Sequence, residues 1–143
     1  MKDNFSAKVR EIMDMRFGCD QLIAVATADG DTPSVRTVNA YYEDGAFYVV
    51  TYALSNKMRQ LAKNPKVGVC GDWFTAHGIG ENIGHVRAAE NAEIMDKLRV
   101  VFQEWYGNGH VNEEDPNTCI LRIRLTDGVL FNHGERYDID FPG

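Results

Sequence analysis

Apolar side chains recur with two different periods along this chain, and the switches between them mark its elements. Phe5, Val9, Ile12, Met13 and Phe17 follow three- and four-residue spacing, which predicts an amphipathic first helix ending at Gly18. Gln21 to Ala28 is a short apolar run rich in β-formers, closed by Asp29-Gly30-Asp31. Pro33 to Tyr42 then alternates polar and apolar positions, Glu43-Asp44-Gly45 reverses the chain, and Ala46 to Tyr52 reads as the next strand. Three strands joined by two tight turns predict an antiparallel meander.

The period changes after Tyr52. Ser55 precedes a stretch of helical composition, Asn56 to Asn64, which Pro65 stops because its ring disfavours helical geometry at the preceding residue. Lys66 to Phe74 is predicted as a strand, and the glycine-rich stretch Gly78 to Gly84 leads to another, His85 to Glu93. Ile94, Leu98, Val101, Phe102 and Trp105 mark one face of a third helix, with Gly107 placed to end it. Asn108 to Asn117 reads as a polar surface loop. Cys119, Leu121, Ile123 and Leu125 alternate with Ile120, Arg122, Arg124 and Thr126 in a half-buried strand, and Asp127-Gly128 is predicted to turn it into a partner, Val129 to Asn132. Six or seven strands, three helices and no βαβ alternation give a mainly β, α+β fold. An antiparallel barrel with flanking helices is expected, as one domain over residues 1–143.

Composition narrows the partners. Hydrophobic residues make up 44% and charged residues 25%, an ordinary globular balance. No apolar run reaches the ~20 residues of a bilayer span, and the N-terminal stretch lacks the apolar core of a secretory signal, so a soluble, cytoplasmic protein without membrane contact is expected. A net charge of −6 with scattered Lys and Arg argues against nucleic acid as a partner. Cys19, Cys70 and Cys119 form no CxxC pair and read as buried, reduced thiols. The four histidines lack metal-ligand spacing, so no metal is expected. The glycine stretch lacks the strand-then-helix context of a dinucleotide fingerprint and reads as backbone beside a pocket or as a β-bulge.

One local arrangement carries chemistry. Ser55 is a good helix N-cap, and a helix start offers free amides and the positive end of a dipole to an anion. Lys57 adds a mobile charge, and Arg36 adds a planar fork if its strand lies beside that turn. A helix terminus and two cations together would neutralise one phosphomonoester. Each part alone has an ordinary structural reading; the combination points to a phosphate site.

The order Pro-x-x-Arg36-Thr37-Val38, then Phe47 to Tyr52, then Ser55-Asn56-Lys57 through Asn64-Pro65-Lys66-Val67 resembles the flavin region of the pyridoxamine 5′-phosphate oxidase-like split barrels. The likeness covers Leu22 to Glu93 well and Thr118 to Phe141 more loosely. It implies a split barrel, usually a homodimer with FMN at the interface, used as a small flavin-dependent oxidoreductase acting on a small molecule. Carried over residue by residue, Arg36, Ser55 and Lys57 would hold the FMN phosphate, with Asn56 at a position often basic in the family. Thr37, Val38, Asn39, Val50, Thr51 and Tyr52 would lie along the ribityl chain and ring. Trp73 reads either as a ring covering the flavin or an interface, or as core packing. Relatives that bind flavin without turnover or are stress-associated, or that use F420 or haem, define the alternatives. The C-terminal Arg- and Trp-containing motifs of true vitamin B6 oxidases have no counterpart after Asn117, so such an oxidase is not expected. No residue is marked as catalytic.

Overall fold

The computed structural model of the protein describes residues 3–142; the ends of the expected 1–143 domain, residues 1, 2 and 143, lie outside the described residues. Strands account for about half of it. β1 (Asp3–Asn4) is followed by helix α1 (Ala7–Phe17) and the meander β2 (Gln21–Asp29), β3 (Thr32–Glu43) and β4 (Ala46–Tyr52). Helix α2 (Asn56–Lys63) leads to β5 (Lys66–Gly71) and β6 (Phe74–His85), helix α3 (Ala92–Val101) follows, and β7 (Thr118–Asn132) and β8 (Glu135–Asp140) complete the chain.

The sheet order is β1-β8-β7-β4-β3-β2-β5-β6, and an added β6–β7 pairing closes β2 to β7 into a six-stranded antiparallel barrel. β8 extends the sheet from β7, and β1 runs parallel to it. Alternation along β2 turns Ile23, Val25 and Thr27 inward, where all three are buried. They meet Phe47 and Val49 of β4, Val67 and Val69 of β5, and Leu121, Ile123 and Leu125 of β7. Helix α1, capped by the Ser6 hydroxyl, closes one end with Val9, Ile12, Met13 and Phe17. The Phe17 ring sits 5.5 Å from Phe47 and 5.4 Å from Phe74. Each such burial stabilises by about 1.5–3 kcal/mol. At the opposite end α2 buries Met58 and Leu61. A second apolar cluster lies outside the barrel, where Met95, Leu98 and Phe102 pack with Val86 and Ile120.

The split in the barrel follows from its hydrogen bonding. β3 pairs with β2 from Thr32 to Ala40, but with β4 only at Tyr41↔Tyr48, Tyr42↔Phe47 and Glu43↔Ala46. Beyond Tyr41 the two strands part. Their facing edges carry peptide groups without ladder partners, which strands normally cover.

Four sequence readings need correction. The expected Lys66–Phe74 strand ends at Gly71, turns at Asp72-Trp73, and restarts at Phe74. The glycines belong to β6 itself, which runs to His85, and residues 86–91 form a turn and short 3-10 helix entering α3 rather than a strand. A β-carbon at Gly78 would stand 2.8 Å from the Arg124 carbonyl oxygen, so glycine lets β7 approach there, and the ladder shifts register between His77 and Gly78. Gly78→Ala is expected to destabilise by about 1–3 kcal/mol through overpacking, read as a lower denaturation midpoint with an unchanged slope. β7 runs straight through Asp127-Gly128; the true reversal is His133-Gly134, both at positive φ as a two-residue hairpin turn requires. The helical path after α3 runs through Gly107, as expected, and is broken at Asn108 and Gly109, whose dihedral angles are not helical, Gly109 lying in the left-handed region. Of the three thiols only Cys119 is buried; Cys19 and Cys70 are exposed. Among the described residues, no helix is long and apolar enough to cross a membrane.

Candidate functional site

Arg36 projects from the inward side of β3 at the end of the barrel that α2 covers. Its Nη1 donates to the Val25 carbonyl at 3.1 Å and to the Thr27 hydroxyl at 2.7 Å. The Thr27 hydroxyl in turn donates to Gln60 Oε1 of α2 at 2.5 Å. This relay ties the strand arginine to the helix and leaves most of its fork uncommitted.

Lys57 lies in the first turn of α2 yet points inward, with 8% of its surface exposed. Its Nζ donates to the Thr51 hydroxyl on β4 at 2.6 Å. Burial lowers its pKa below the ordinary lysine value, and the charge of Arg36 lowers it further. Burial also lowers that of Arg36. Cys119, across the ladder from Thr51, is pushed up by burial and drawn back by the Lys57 charge. Among the described residues no carboxylate forms an ion pair with Arg36 or Lys57. Two neighbouring cations, one of them buried, without a counter-ion are costly. An anion at this point would relieve both.

The start of α2 adds donors. Ser55 caps it, its hydroxyl accepting from the Met58 amide at 3.4 Å and its carbonyl from the Arg59 amide at 3.0 Å. The hydroxyl proton is left to donate, and the first amides of the helix have no intrahelical acceptor.

From Thr51 a groove of about 560 Å3 follows the split, lined by Val38 and Asn39 on one strand edge and Val49, Val50 and Thr51 on the other. Leu22, Trp105, His110 and Val111 complete its walls. A contiguous cavity of about 450 Å3 shares Val50, Thr51, His110 and Val111 and adds Tyr52. Asp20 holds two walls together: it accepts from Asn39 Nδ2 and from Trp105 Nε1, each at 2.9 Å.

The loop bearing His110 and Val111 is pinned by Glu113. That carboxylate accepts from Arg99 at 3.0 and 3.1 Å, from Arg87 at 3.4 Å and from the Tyr106 hydroxyl at 2.5 Å. Its pKa is drawn down to about 2, chiefly by Arg99.

The residues singled out from the sequence therefore divide. Arg36, Thr51 and Lys57 converge, with Ser55 at the adjoining cap. Val38, Asn39 and Val50 line the groove and Tyr52 its extension, whereas Thr37 and Asn56 are exposed outside it. Trp73 stands at the far end of the barrel, where Arg16 of α1 donates to the neighbouring Asp72 carbonyl at 3.0 Å. Its ring is 68% exposed and packs edge-on against Phe131, so the core-packing reading is excluded. The Thr27–Gln60 relay, the Asp20 bridge and the His110–Val111 wall join segments far apart in the chain and have no local sequence signal. By composition Asn108 to Asn117 is a polar surface loop, and nothing in it marks His110 and Val111 as the part facing the groove.

Comparison with known proteins agrees with this geometry. A family model described as pyridoxamine 5′-phosphate oxidase matches residues 8–130. No curated protein sequence matches the chain. Among solved structures it resembles an FAD-binding protein from Mesorhizobium loti, with 16% identity over 86% of this chain and 91% of that one and a TM-score of 0.66. General stress protein 26 from Bacillus anthracis superposes with a TM-score of 0.62 and 18% identity over 84% and 91% of the two chains. A NimC/NimA family protein from Clostridium acetobutylicum gives 0.64 and 17% over 91% and 93%. At these identities the structural likenesses speak to fold alone. The match over residues 8–130, on a six-stranded barrel split between β3 and β4, places the chain in the pyridoxamine 5′-phosphate oxidase family.

Proposed function

We propose that the chain binds FMN in the split between β3 and β4 and serves as a small flavin-dependent oxidoreductase. The observation that carries this reading is the Arg36–Lys57 pair, one member 8% exposed and neither in an ion pair among the described residues. A phosphomonoester, with nearly two negative charges, fits that deficit. The rest of the molecule would follow the groove toward Val38 and Asn39, where unpaired strand-edge peptide groups can meet the polar edge of a flavin ring. The Mesorhizobium loti neighbour, an FAD-binding protein, supports a flavin as the ligand class.

Bound flavin supplies the hydride and electron chemistry. The chain's own residues hold it: Arg36, Lys57 and Ser55 fix the phosphate end, the strand edges orient the ring, and Trp105 and Val111 exclude water from one side. We assign the chain a homodimeric state as well. Leu22 and Val35 on the outer face of β2 and β3 are 61% and 70% exposed, and Leu22 also borders the groove. A second copy over this face would bury them and complete the wall. The substrate is a small molecule other than pyridoxamine phosphate.

A second reading, flavin binding without turnover, is favoured by one feature. Of the residues lining the 560 Å3 groove, His110 is the single candidate for acid–base chemistry by residue type. The visible spectrum of the purified protein, before and after addition of FMN, separates the ligand classes. A two-band flavin spectrum is expected; a Soret band indicates haem, and a colourless protein that ignores FMN rejects the proposal. Steady-state oxidation of a nicotinamide donor by the yellow protein then separates enzyme from binder.

A further inference from the structure

A second cavity, of about 530 Å3, lies beyond α2 and is lined by Ala28, Asp29 and Gly30 of the β2–β3 hairpin and by Asn56, Arg59, Gln60, Lys63 and Asn64. It is large enough for a nucleoside-sized ligand. Gln60 is its partition with the phosphate site, since its side-chain oxygen receives the Thr27 hydroxyl that Arg36 contacts.

The lining consists mainly of donors. Gln60 Oε1 is engaged by Thr27 and Asn64 Oδ1 by the Lys66 amide at 3.2 Å, which leaves both NH2 groups available. Arg59 and Lys63, one helical turn apart, repel each other in the free protein. Among the described residues neither forms an ion pair, and Asp29 across the cavity does not reach them. In a chain of net charge −6, Arg36, Lys57, Arg59 and Lys63 concentrate positive charge around one short helix. One phosphate on Arg36 and Lys57 leaves the outer two cations without a counter-ion.

We infer that this cavity is an adenylate subsite, taking the second phosphate and the nucleoside of a flavin dinucleotide whose first phosphate rests on Arg36 and Lys57. Arg59 and Lys63 meet the second phosphate. The Asn56 amide meets the purine edge in the bidentate pairing that Asn makes with adenine, and the NH2 groups of Gln60 and Asn64 donate to the purine ring nitrogens. The inference rests on the phosphate reading of the Arg36–Lys57 pair and extends it from mononucleotide to dinucleotide.

The test is flavin fluorescence titration of the apoprotein with FMN and with FAD, for the full chain and for a double variant, Arg59→Ala with Lys63→Ala. Both side chains are exposed, so the variant is expected to fold. FAD is expected to bind about tenfold or more tightly than FMN, and the double variant to lose that preference while keeping its FMN affinity. FAD binding no tighter than FMN overturns the subsite and leaves the FMN reading standing. A preference for FAD that survives the double substitution places the adenylate elsewhere and also overturns it. Failure of both flavins to bind overturns the phosphate reading beneath it.

Discussion

Replacing Lys57 by alanine is expected to weaken FMN binding by roughly 10- to 150-fold, the equivalent of one charge-assisted contact of about 1.5–3 kcal/mol. Riboflavin, which presents no phosphate, is expected to lose little. Equal losses for the two flavins would mean that Lys57 acts on the ring or on the fold instead. The same side chain has an opposite effect on the apoprotein. Its ammonium is buried, faces Arg36, and among the described residues has only the Thr51 hydroxyl as a hydrogen-bond partner. Lys57→Met is therefore expected to raise the thermal midpoint of the flavin-free protein while removing phosphate recognition. The pH dependence follows from the lowered pKa. Between the folded value and the ordinary 10.5, the unfolded chain holds a proton that the folded chain has released, so stability rises with pH in that window. The penalty from Lys57 is complete below it. The advantage of Lys57→Met over wild type is expected to shrink as pH approaches 10.5, measured by parallel denaturation curves.

Glu113→Gln is expected to lower stability by roughly 2–4 kcal/mol, because it removes the charge and one of the two acceptor oxygens that Arg99, Arg87 and the Tyr106 hydroxyl share. That corresponds to a melting temperature lower by roughly 6–15 °C. Acid provides an independent check. The folded pKa of Glu113, about 2, lies below its ordinary 4.5, so its contribution is fully present above 4.5 and is lost as pH falls toward about 2. Its size is about 3 kcal/mol. The variant lacks this titration and is expected to show a flatter acid limb, the two curves converging near pH 2. Glu113 also anchors the loop that carries His110 and Val111. Its substitution is expected to weaken FMN and riboflavin alike, unlike the phosphate-selective effect at Lys57.

The contrast between these two residues tracks what could be read from the chain. Lys57 was legible because its signal is local. A cap, a short helix and a proline stop sit within eleven residues, and the strand order before them matches a family pattern. The β2–β4 meander was legible for the same reason, with alternation and tight turns specifying each pairing to its neighbour. Barrel closure was not. β6 meets β7 across a long sequence separation, and its glycines, which resemble loop punctuation, are there because Gly78 must let β7 pass within reach of the Arg124 carbonyl. Gly128, read as a turn, is likewise a close contact inside a continuous strand.

The site divides along the same line. Arg36 and Lys57 could be paired on paper, but the Thr27–Gln60 relay joining them to α2 depends on a side chain thirty-three residues away. The Asp20–Trp105 bond that builds the groove wall spans eighty-five residues. Trp73 shows the reverse failure. A large aromatic after small residues suggests burial, yet the residue occupies a turn at positive φ, 68% exposed and remote from the cations within its own chain.

The phosphate pocket is tested most directly by comparing FMN and riboflavin dissociation constants on the wild-type apoprotein, by quenching of flavin fluorescence at fixed ionic strength. If Arg36 and the buried Lys57, neither in an ion pair among the described residues, hold the phosphate, FMN binds at least about tenfold more tightly than riboflavin, and added salt narrows the gap. Equal affinities for the two flavins, at any salt concentration, would contradict it.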